Sequence, residues 1–554
     1  MTERAKGGRW DGPWVAGWMA AGLALRALLA GFTNRITGDG VGWYIPMARA
    51  FVEGRLDRGF DAYIPPVYSL STAAIAKLLP AGAWAGPAGE AGALELAGQI
   101  ASTLYGVATI PLVYLLVRAL APASHARVLA RTAAALAAVS PFLARYSARV
   151  MSESAYTLFF VLALLAGLRL LTRRTAASSA LFGFAVGVAC LNRPEGMALL
   201  GIIGAWIGIP ALWNRKGLAR ALGLGIVAGV FFLAGLFPQM AVTHARTGVW
   251  TLSAKGGQIF RSGLTTDPLA REKWLYPSPG ARSPAGSAGS KRAYDEFKPD
   301  AVVKSDPLGF AKATVVRLVK LLAHVPQVLG VVLSCFALAG IFGRREIPRW
   351  DRERVAASIP AAYLLLLSFF RPAERFLIPL VPLGLLWSAM GVVEIAGRVR
   401  RGEWTRLAAR LPERARRNTL AWSLGAAVLL TLPEALDPLR QGGFRWYWSP
   451  EKEVGVWMRA HLGPAPKIMT RGSYIEAYYA GARVAYFPFA PYDEVMRYVG
   501  RTEVRYILLD EKTRRLRPGF LERLAEEPRA RLVRRFEIGK DTEVLYEVLP
   551  GARP

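Results

Sequence analysis

Apolar stretches long enough to cross a lipid bilayer recur along most of this chain. The hydrocarbon core of a bilayer is about 30 Å thick, so a helix needs about 20 apolar residues to cross it. Windows close to that length occur before residue 437, and arginine clusters bound many of them. We place them at 14–33, 96–118, 128–143, 153–172, 177–191, 197–213, 221–243, 322–343, 355–370, 376–396 and 419–436. The sequence therefore predicts a polytopic α-helical membrane protein with about 11 transmembrane helices.

The basic residues predict the orientation of these helices. The 554 residues include 70 Lys and Arg against 40 Asp and Glu, a net charge of +30. Lysine and arginine are enriched in cytoplasmic loops, and basic residues fall in alternate loops, at Arg4, Arg127, Arg173, Arg215, Arg344 and 398–417. We expect a multi-pass protein of the cell's inner (plasma) membrane with a cytoplasmic N-terminus. Because this location accounts for the charge, no nucleic-acid partner is predicted.

Three segments are then expected on the extracytoplasmic side, namely the loops 34–95 and 244–321 and the tail 437–554. The tail differs in texture from the spans, because strand-like runs at 467–470, 504–510, 530–538 and 542–549 alternate with helix-like stretches. Such alternation is typical of an α/β domain. The predicted domains are a transmembrane catalytic module over 1–436 and a small extracytoplasmic α/β domain over 437–554.

The first outer loop opens with a carboxylate, Asp39, just after the first span. The helix predicted to follow has one apolar face, made of Tyr44, Met47, Ala48 and Phe51. We expect this helix to lie along the membrane interface, with Asp39 exposed to headgroups and water. The alternative is that Asp39 caps the helix by accepting backbone N–H groups near Val41 or Gly42.

Several short motifs lie in order on the predicted outer side. Asp39 and Tyr44 are followed by Tyr63-Ile64-Pro65-Pro66-Val67-Tyr68, and later come Arg149 with Glu153, Arg193-Pro194-Glu195-Gly196, and the segment 371–382, which contains Arg371 and Arg375. Together, over about residues 14–400, they resemble the GT-C glycosyltransferases. The resemblance is to the branch of protein O-mannosyltransferases and lipid A aminoarabinose transferases.

The resemblance implies transfer of a hexosyl or pentosyl group from a polyprenyl-phosphate donor to a glycan, lipid or protein acceptor. Asp39 is then the expected general base. The donor-phosphate and substrate-binding candidates are Arg149, Glu153, Arg193, Arg371, Arg375, Tyr44 and Tyr63, with the loop residue Lys255 as a further one. Many relatives have two adjacent acids where this chain has Asp39 and Gly40, so Glu53, Asp57 and Asp61 are candidates for a second carboxylate.

Other chemistries have less support in the sequence. No phosphate-binding loop for a nucleotide is present, and the four histidines and two cysteines are far apart, so neither a metal site nor an obligatory cofactor is predicted. A membrane transporter or flippase of a lipid-linked sugar is the alternative function. Transporters usually place ionisable residues within repeated spans.

Arg26 lies deep in the first span, where it is expected to pair or to face a wet cavity.

Overall fold

The computed structural model describes residues 11–33, 36–85, 88–213, 215–253, 303–304, 306–370, 373–403, 418–440, 450–471, 474–538 and 541–549. These residues form two compact units. The helical unit contains the described parts of Met1–Phe32, Gln99–Pro238 and Ala311–Phe444. The sheet unit contains those of Thr33–Gly98, Gln239–Phe310 and Arg445–Pro554. The domain boundary near residue 436 stays a prediction.

All regular secondary structure in the described chain up to residue 440 is helical. They are α1 Gly12–Phe32, the π-helical turn Gly40–Tyr44, α2 Ile45–Val52, α3 Leu56–Gly59, α4 Val67–Ala76, α5 Ala81–Trp84, α6 Gly89–Leu120, α7 Ala126–Val139, α8 Pro141–Ser147, α9 Glu153–Arg173, α10 Ala176–Cys190, a 3-10 helix Pro194–Met197, α11 Ala198–Trp213, α12 Arg215–Thr247, α13 Pro307–Leu329, α14 Val331–Phe342, α15 Asp351–Ser368, a 3-10 helix Glu374–Leu380, α16 Val381–Arg401 and α17 Thr419–Arg440.

Each of the eleven predicted spans coincides with a helix or a pair of helices. Within the described residues, seven segments are long and apolar enough to cross a membrane: Gly12–Phe32, Gly89–Leu120, Glu153–Arg173, Pro194–Trp213, Gly217–Thr247, Glu374–Arg401 and Thr419–Asp437. Two further candidates are bent pairs, α7 with α8 at 50° and α13 with α14 at 105°. The helices α10 and α15 do not meet the criteria for a full span. The expected polytopic helical class is confirmed, with seven to nine candidate spans.

The sharpest bend has a local cause. Gly330, between α13 and α14, has φ +100°, a conformation that favours glycine. The Val331 N–H that opens α14 donates to Glu434 Oε1 at 2.9 Å. A side chain therefore satisfies one of the backbone donors that the break leaves without an intrahelical partner. The segment predicted as a span at 322–343 is thus two helices and not a straight crossing.

Charged contacts join one set of helix ends in the helical unit. Asp11, before α1, pairs with Arg127 and Arg131 of α7, in each case with a shortest nitrogen–oxygen distance of 2.5 Å. The guanidinium groups lower the pKa of the Asp11 carboxyl. Trp350, before α15, donates to the Leu120 carbonyl at the end of α6 at 2.6 Å. The start of α1 therefore lies beside the start of α7, as the alternating basic loops predict.

Arg26 of α1 is fully buried. Its guanidinium donates to the carbonyls of Ala138 at 2.9 Å and Ala137 at 3.3 Å, at the end of α7 where the chain bends into α8. The last carbonyls of a helix have no intrahelical donor. Of the two expected situations, pairing or a wet cavity, Arg26 therefore shows pairing, and its partners are backbone groups left by a helix break.

The helices α14 and α16 approach closely because both carry glycine at the contact. A Cβ atom on Gly391 would lie 1.8 Å from the Phe336 carbonyl oxygen, and one on Gly340 would lie 2.2 Å from the Trp387 carbonyl oxygen. Small residues permit such backbone contacts between membrane helices.

The tail contributes a five-stranded mixed sheet to the sheet unit. Its elements are α18 Pro450–His461, β1 Lys467–Thr470, α19 Tyr474–Tyr479, β2 Arg483–Tyr486, α20 Tyr492–Arg501, β3 Tyr506–Leu509, α21 Glu511–Leu516, α22 Phe520–Glu526, β4 Ala530–Ile538 and β5 Asp541–Val548. The strand order is β2-β1-β3-β5-β4. β1 pairs in parallel with β2 and β3, whereas β5 is antiparallel to β3 and β4.

The α/β character predicted for the tail is confirmed. Four of its strands match the predicted runs, and β2 was missed. β2 is only four residues long, and Arg483 and Val484 at its start are exposed, so it lacks the apolar run by which a strand is recognised. The core between sheet and helices includes Met469, Ile507 and Val544 from strands and Val495 from α20.

Candidate functional site

Asp39 lies in the sheet unit, directly before the π-helical turn Gly40–Tyr44. Thr37 anchors the start of the turn, because its side-chain oxygen accepts the Gly40 N–H at 3.0 Å and its carbonyl accepts the Val41 N–H at 2.9 Å. The Asp39 side chain is half-buried and makes no capping hydrogen bond. The capping alternative is therefore wrong, because Thr37 has that role. π-helical turns are frequent at functional sites.

The helix that follows Asp39 presents its apolar face to the protein. Tyr44, Met47, Ala48 and Phe51 are all buried. α2 packs against α4, and the Tyr44 ring meets the Tyr68 ring edge-on with centroids 4.9 Å apart. The apolar face therefore packs within the protein, and the expected position of this helix along the membrane interface stays a prediction.

Tyr63 joins the same region of the sheet unit. Its ring stacks on Trp43 at a centroid distance of 5.4 Å, and burial together with the Asp61 charge raises its pKa to about 12. Its backbone is fixed as well, because Asp61 Oδ1 accepts the Tyr63 N–H at 2.6 Å and the Ser253 hydroxyl donates to the Tyr63 carbonyl at 2.6 Å. The structure thus places Tyr44 and Tyr63 on the segments that flank and follow Asp39.

The three candidates for a second carboxylate are in different situations. Asp61 shapes the loop, as it accepts two backbone N–H groups and lies 3.6 Å from Arg246. Glu53 forms an ion pair with its neighbour Arg55. Asp57 is exposed. A second catalytic acid stays a prediction.

A second group of predicted residues meets in the helical unit. Glu153 is 1% exposed, and its Oε1 lies 2.8 Å from Arg193 Nη1 and 3.8 Å from Arg375 Nη1. Arg193 Nη2 also lies 3.4 Å from Glu195 Oε1. One buried carboxylate therefore holds two guanidinium groups that are 182 residues apart in sequence.

These three residues share a place in the fold. Glu153 begins the span Glu153–Arg173, Arg193 precedes the span Pro194–Trp213, and Arg375 is the second residue of the span Glu374–Arg401. The N-termini of three candidate spans therefore meet where the two arginines pair with Glu153. Helix N-termini carry partial positive charge, which adds to the guanidinium groups in attracting an anion.

Aromatic rings fix the two arginines. The Arg193 guanidinium carbon lies 4.8 Å from the Phe376 ring centroid and that of Arg375 lies 5.6 Å from it. Arg149 lies over a different ring, that of Tyr146, at 5.7 Å. Stacked guanidinium groups lose less freedom when they bind a ligand.

Tyr146 is a residue that the sequence interpretation missed. It lies close enough to Arg149, Glu153 and Arg375 for the charges of all three to act on its hydroxyl. Its side chain also lines a small cavity, with Ser147, Ser154, Thr157 and Ile378 among the other lining residues. Its position three residues before Arg149 was the available signal.

The predicted site residues therefore form two groups, one in each unit. Asp39, Tyr44 and Tyr63 lie in the sheet unit, whereas Arg149, Glu153, Arg193 and Arg375 lie in the helical unit. Lys255 and Arg371 lie outside the described residues, and their roles stay predictions. Within the described ranges, no three His, Cys, Asp or Glu residues are grouped so that they could hold a metal ion.

Comparisons with known proteins place this architecture. The solved structures that the chain resembles include the oligosaccharyltransferase of Archaeoglobus fulgidus with an acceptor peptide, with a TM-score of 0.56 and 14% identity over 90% of this chain and 69% of that one. They include AglB of the same organism with an inhibitory peptide and dolichol-phosphate, with a TM-score of 0.55 and 15% identity over 91% of this chain and 70% of that one. They also include ArnT of Cupriavidus metallidurans bound to undecaprenyl phosphate, with a TM-score of 0.52 and 15% identity over 98% of this chain and 100% of that one. No curated protein matches the sequence.

Identities of 14–15% show a shared fold. The chain is a multi-pass membrane protein with the fold of the GT-C superfamily of membrane glycosyltransferases, and the predicted resemblance is confirmed. Within the chain, residues 90–240 match the model of the dolichyl-phosphate-mannose-protein mannosyltransferase family. That stretch includes Arg149, Glu153 and Arg193.

Proposed function

We propose that this protein transfers a sugar from a polyprenyl-phosphate donor to an acceptor at the extracytoplasmic face of the plasma membrane. The observation that carries the proposal is the arrangement of Arg193 and Arg375 around Glu153 at the N-termini of three candidate spans. Two of the matched structures contain a polyprenyl phosphate, undecaprenyl phosphate in ArnT and dolichol-phosphate in AglB. A lipid-linked phosphate is therefore the ligand that this chemistry fits best.

The arginines would receive the leaving group. When the bond between the anomeric carbon and the phosphate oxygen breaks, negative charge grows on the lipid phosphate and positive charge grows in the sugar ring. A guanidinium group stays charged and binds phosphate oxygens in pairs. Glu153 orients Arg193 and Arg375 through one of its oxygens, Oε1. Arg149 beside Tyr146, and Arg371 and Lys255, are further candidates for this contact.

Asp39 is the proposed general base. A carboxylate ionised at neutral pH accepts the proton of an acceptor hydroxyl as that hydroxyl attacks the anomeric carbon, and its charge favours the cationic sugar in the transition state. Such a base contributes typically ~10²- to 10⁴-fold to the rate. Tyr44 and Tyr63 stay candidates for the substrate site; both are buried, Tyr44 against Tyr68 and Tyr63 against Trp43. The chemistry assigned to these residues requires no metal or other cofactor.

The test is consumption of labelled polyprenyl-phosphate monosaccharides by the purified, lipid-reconstituted protein in the presence of envelope extract as a source of acceptors. We expect one donor to be consumed, with activity that survives EDTA and falls at least ~10²-fold in Asp39→Asn. Arg193→Gln should weaken donor binding. The control is Arg344→Gln, because Arg344 forms a comparably enclosed ion pair with Glu353 in another part of the helical unit.

The possible outcomes distinguish sugar transfer from transport and test the roles of Asp39 and Arg193. Full activity of Asp39→Asn would exclude Asp39 as the base. Binding of donor without consumption, together with movement of the donor across the bilayer of the vesicles, would contradict transfer and support the flippase alternative. Equal effects of Arg193→Gln and Arg344→Gln would show that Arg193 acts on stability and not on the donor.

A further inference from the structure

Tyr479 of α19 is completely buried in the sheet unit and connects three parts of its sequence. Its hydroxyl donates to Glu95 Oε2 at 2.6 Å, and the Ile36 N–H donates to the same phenol oxygen. Lys452 of α18 lies 2.9 Å from Glu95 Oε2 and 4.8 Å from the centroid of the Tyr479 ring. The tail, the start of α6 and the segment before Asp39 are therefore joined at one phenol.

This junction lies three residues before the proposed base. From Ile36 the chain runs to Thr37, which anchors the π-helical turn through Gly40 and Val41. α19 also packs directly against that turn. Asp39 thus sits between a backbone amide bound by Tyr479 and a turn bound by Thr37, which leaves its backbone little freedom.

The helix that carries Tyr479 is itself held firmly. Gly455 of α18 approaches so closely that a Cβ atom there would lie 2.5 Å from the Glu476 carbonyl oxygen and 2.7 Å from the Tyr479 Cβ. Burial and the Glu95 carboxylate raise the pKa of Tyr479, so its hydroxyl keeps the proton that it donates. The buried Glu95–Lys452 pair gives this donor a charged acceptor in fixed position.

We propose that Tyr479, supported by Glu95 and Lys452, is a positioning residue for the Asp39 turn, so that the tail domain sets the geometry of the base. The inference rests on the proposed function of Asp39. A displacement of about 1 Å in a reacting group can cost about 10²-fold in rate. Loss of the Tyr479 hydroxyl should therefore lower kcat while leaving donor affinity nearly unchanged.

The neighbouring residue supplies a matched control. Tyr478 is on the same helix, and its half-buried hydroxyl donates to the Ala91 carbonyl at 2.8 Å, so it binds the same start of α6. Tyr478→Phe removes one phenol hydrogen bond, whereas Tyr479→Phe removes the one donated to Glu95 and the one accepted from Ile36. Both variants and Asp39→Asn are to be compared in the full-length, lipid-reconstituted protein.

Two measurements are made on each variant. Hydrogen exchange of the peptide 36–44 should accelerate by about tenfold or more in Tyr479→Phe, since the Ile36 amide loses its acceptor, and should be unchanged in Tyr478→Phe. The second measurement uses as substrate the polyprenyl-phosphate sugar that the unaltered protein consumes. The kcat of Tyr479→Phe should fall about tenfold or more, and its KM for this donor should stay within about twofold of the value for the unaltered protein.

The two hypotheses fail in different ways. Equal exchange of the peptide 36–44 in both tyrosine variants would overturn the positioning role, whatever the activity. Faster exchange with unchanged kcat would also overturn it, because Tyr479 would then be only structural. If Asp39→Asn is fully active while Tyr479→Phe still accelerates exchange, the proposed base is wrong although the structural connection from the tail is real.

Discussion

Removal of Arg193 should destabilise the helical unit more than removal of Arg193 and Glu153 together. Glu153 is 1% exposed and its Oε1 lies 2.8 Å from Arg193 and 3.8 Å from Arg375. At an effective dielectric constant of about 20, these distances correspond to attractions of ~6 and ~4 kcal/mol, before the cost of desolvation. Breaking one partner of a buried pair typically costs ~3–5 kcal/mol. Because Arg375 still pairs with Glu153 in this variant, we expect the loss of unfolding free energy in Arg193→Gln to lie near the lower limit of that range, at ~3 kcal/mol.

The double variant Glu153→Gln/Arg193→Gln replaces the buried carboxylate together with its partner, so no charge is left at position 153. It should lower the free energy of unfolding by only ~1 kcal/mol, which gives a coupling energy of at least ~2 kcal/mol. Reversible unfolding in bicelles, followed by circular dichroism, measures the stability of Arg193→Gln, Glu153→Gln and the double variant. Donor consumption is measured alongside, and it should stay low in the double variant even where stability returns. The reasoning would be refuted if Arg193→Gln cost less than ~1 kcal/mol, or if the double variant were no more stable than Arg193→Gln.

Two further predictions concern stability. Arg26→Leu should lower the melting temperature because it leaves the Ala137 and Ala138 carbonyls without donors, at ~1–3 kcal/mol per unsatisfied group; a wild-type melting temperature would contradict this. Burial and the neighbouring Glu476 raise the pKa of the Glu543 carboxyl in the sheet unit. The folded state then holds a proton that the unfolded chain loses above its usual pKa near 4.5, so stability should fall as pH rises from about 5 to 9. Glu543→Gln should flatten that dependence in pH-resolved unfolding, and an unchanged slope would contradict it.

The spans were predictable because bilayer thickness imposes a length and a composition that can be read locally. All eleven segments are helical, yet local composition did not show that α13 and α14 are bent at Gly330 or that α7 ends at carbonyls bound by Arg26. Both features depend on contacts with residues far away in sequence. The tail strands were visible as apolar runs, whereas β2 is too short and too exposed to stand out.

Predicting the site from the sequence depended on resemblance, since nothing local associates Glu153 with Arg375. The resemblance selected residues whose meeting in the helical unit the structure then displays. It did not indicate Tyr146 or Tyr479, which lack charge and have the composition of ordinary core residues. A tyrosine affects residues far away in sequence through a hydrogen bond or a ring contact, and the fold determines which contacts form.

The contrast between Glu153 and Glu95 suggests how buried acids serve this protein. Each carboxylate is almost fully enclosed, and each has an oxygen shared by two donors, two guanidinium groups at Glu153 and an ammonium and a phenol at Glu95. A buried ion pair contributes little net stability, because desolvation offsets the attraction. However, any conformation in which a donor moves away from the buried carboxylate is energetically unfavourable, because it leaves that charge unpaired. These acids are therefore better explained as devices that fix the direction of their donors, which is the property that phosphate binding and base positioning require.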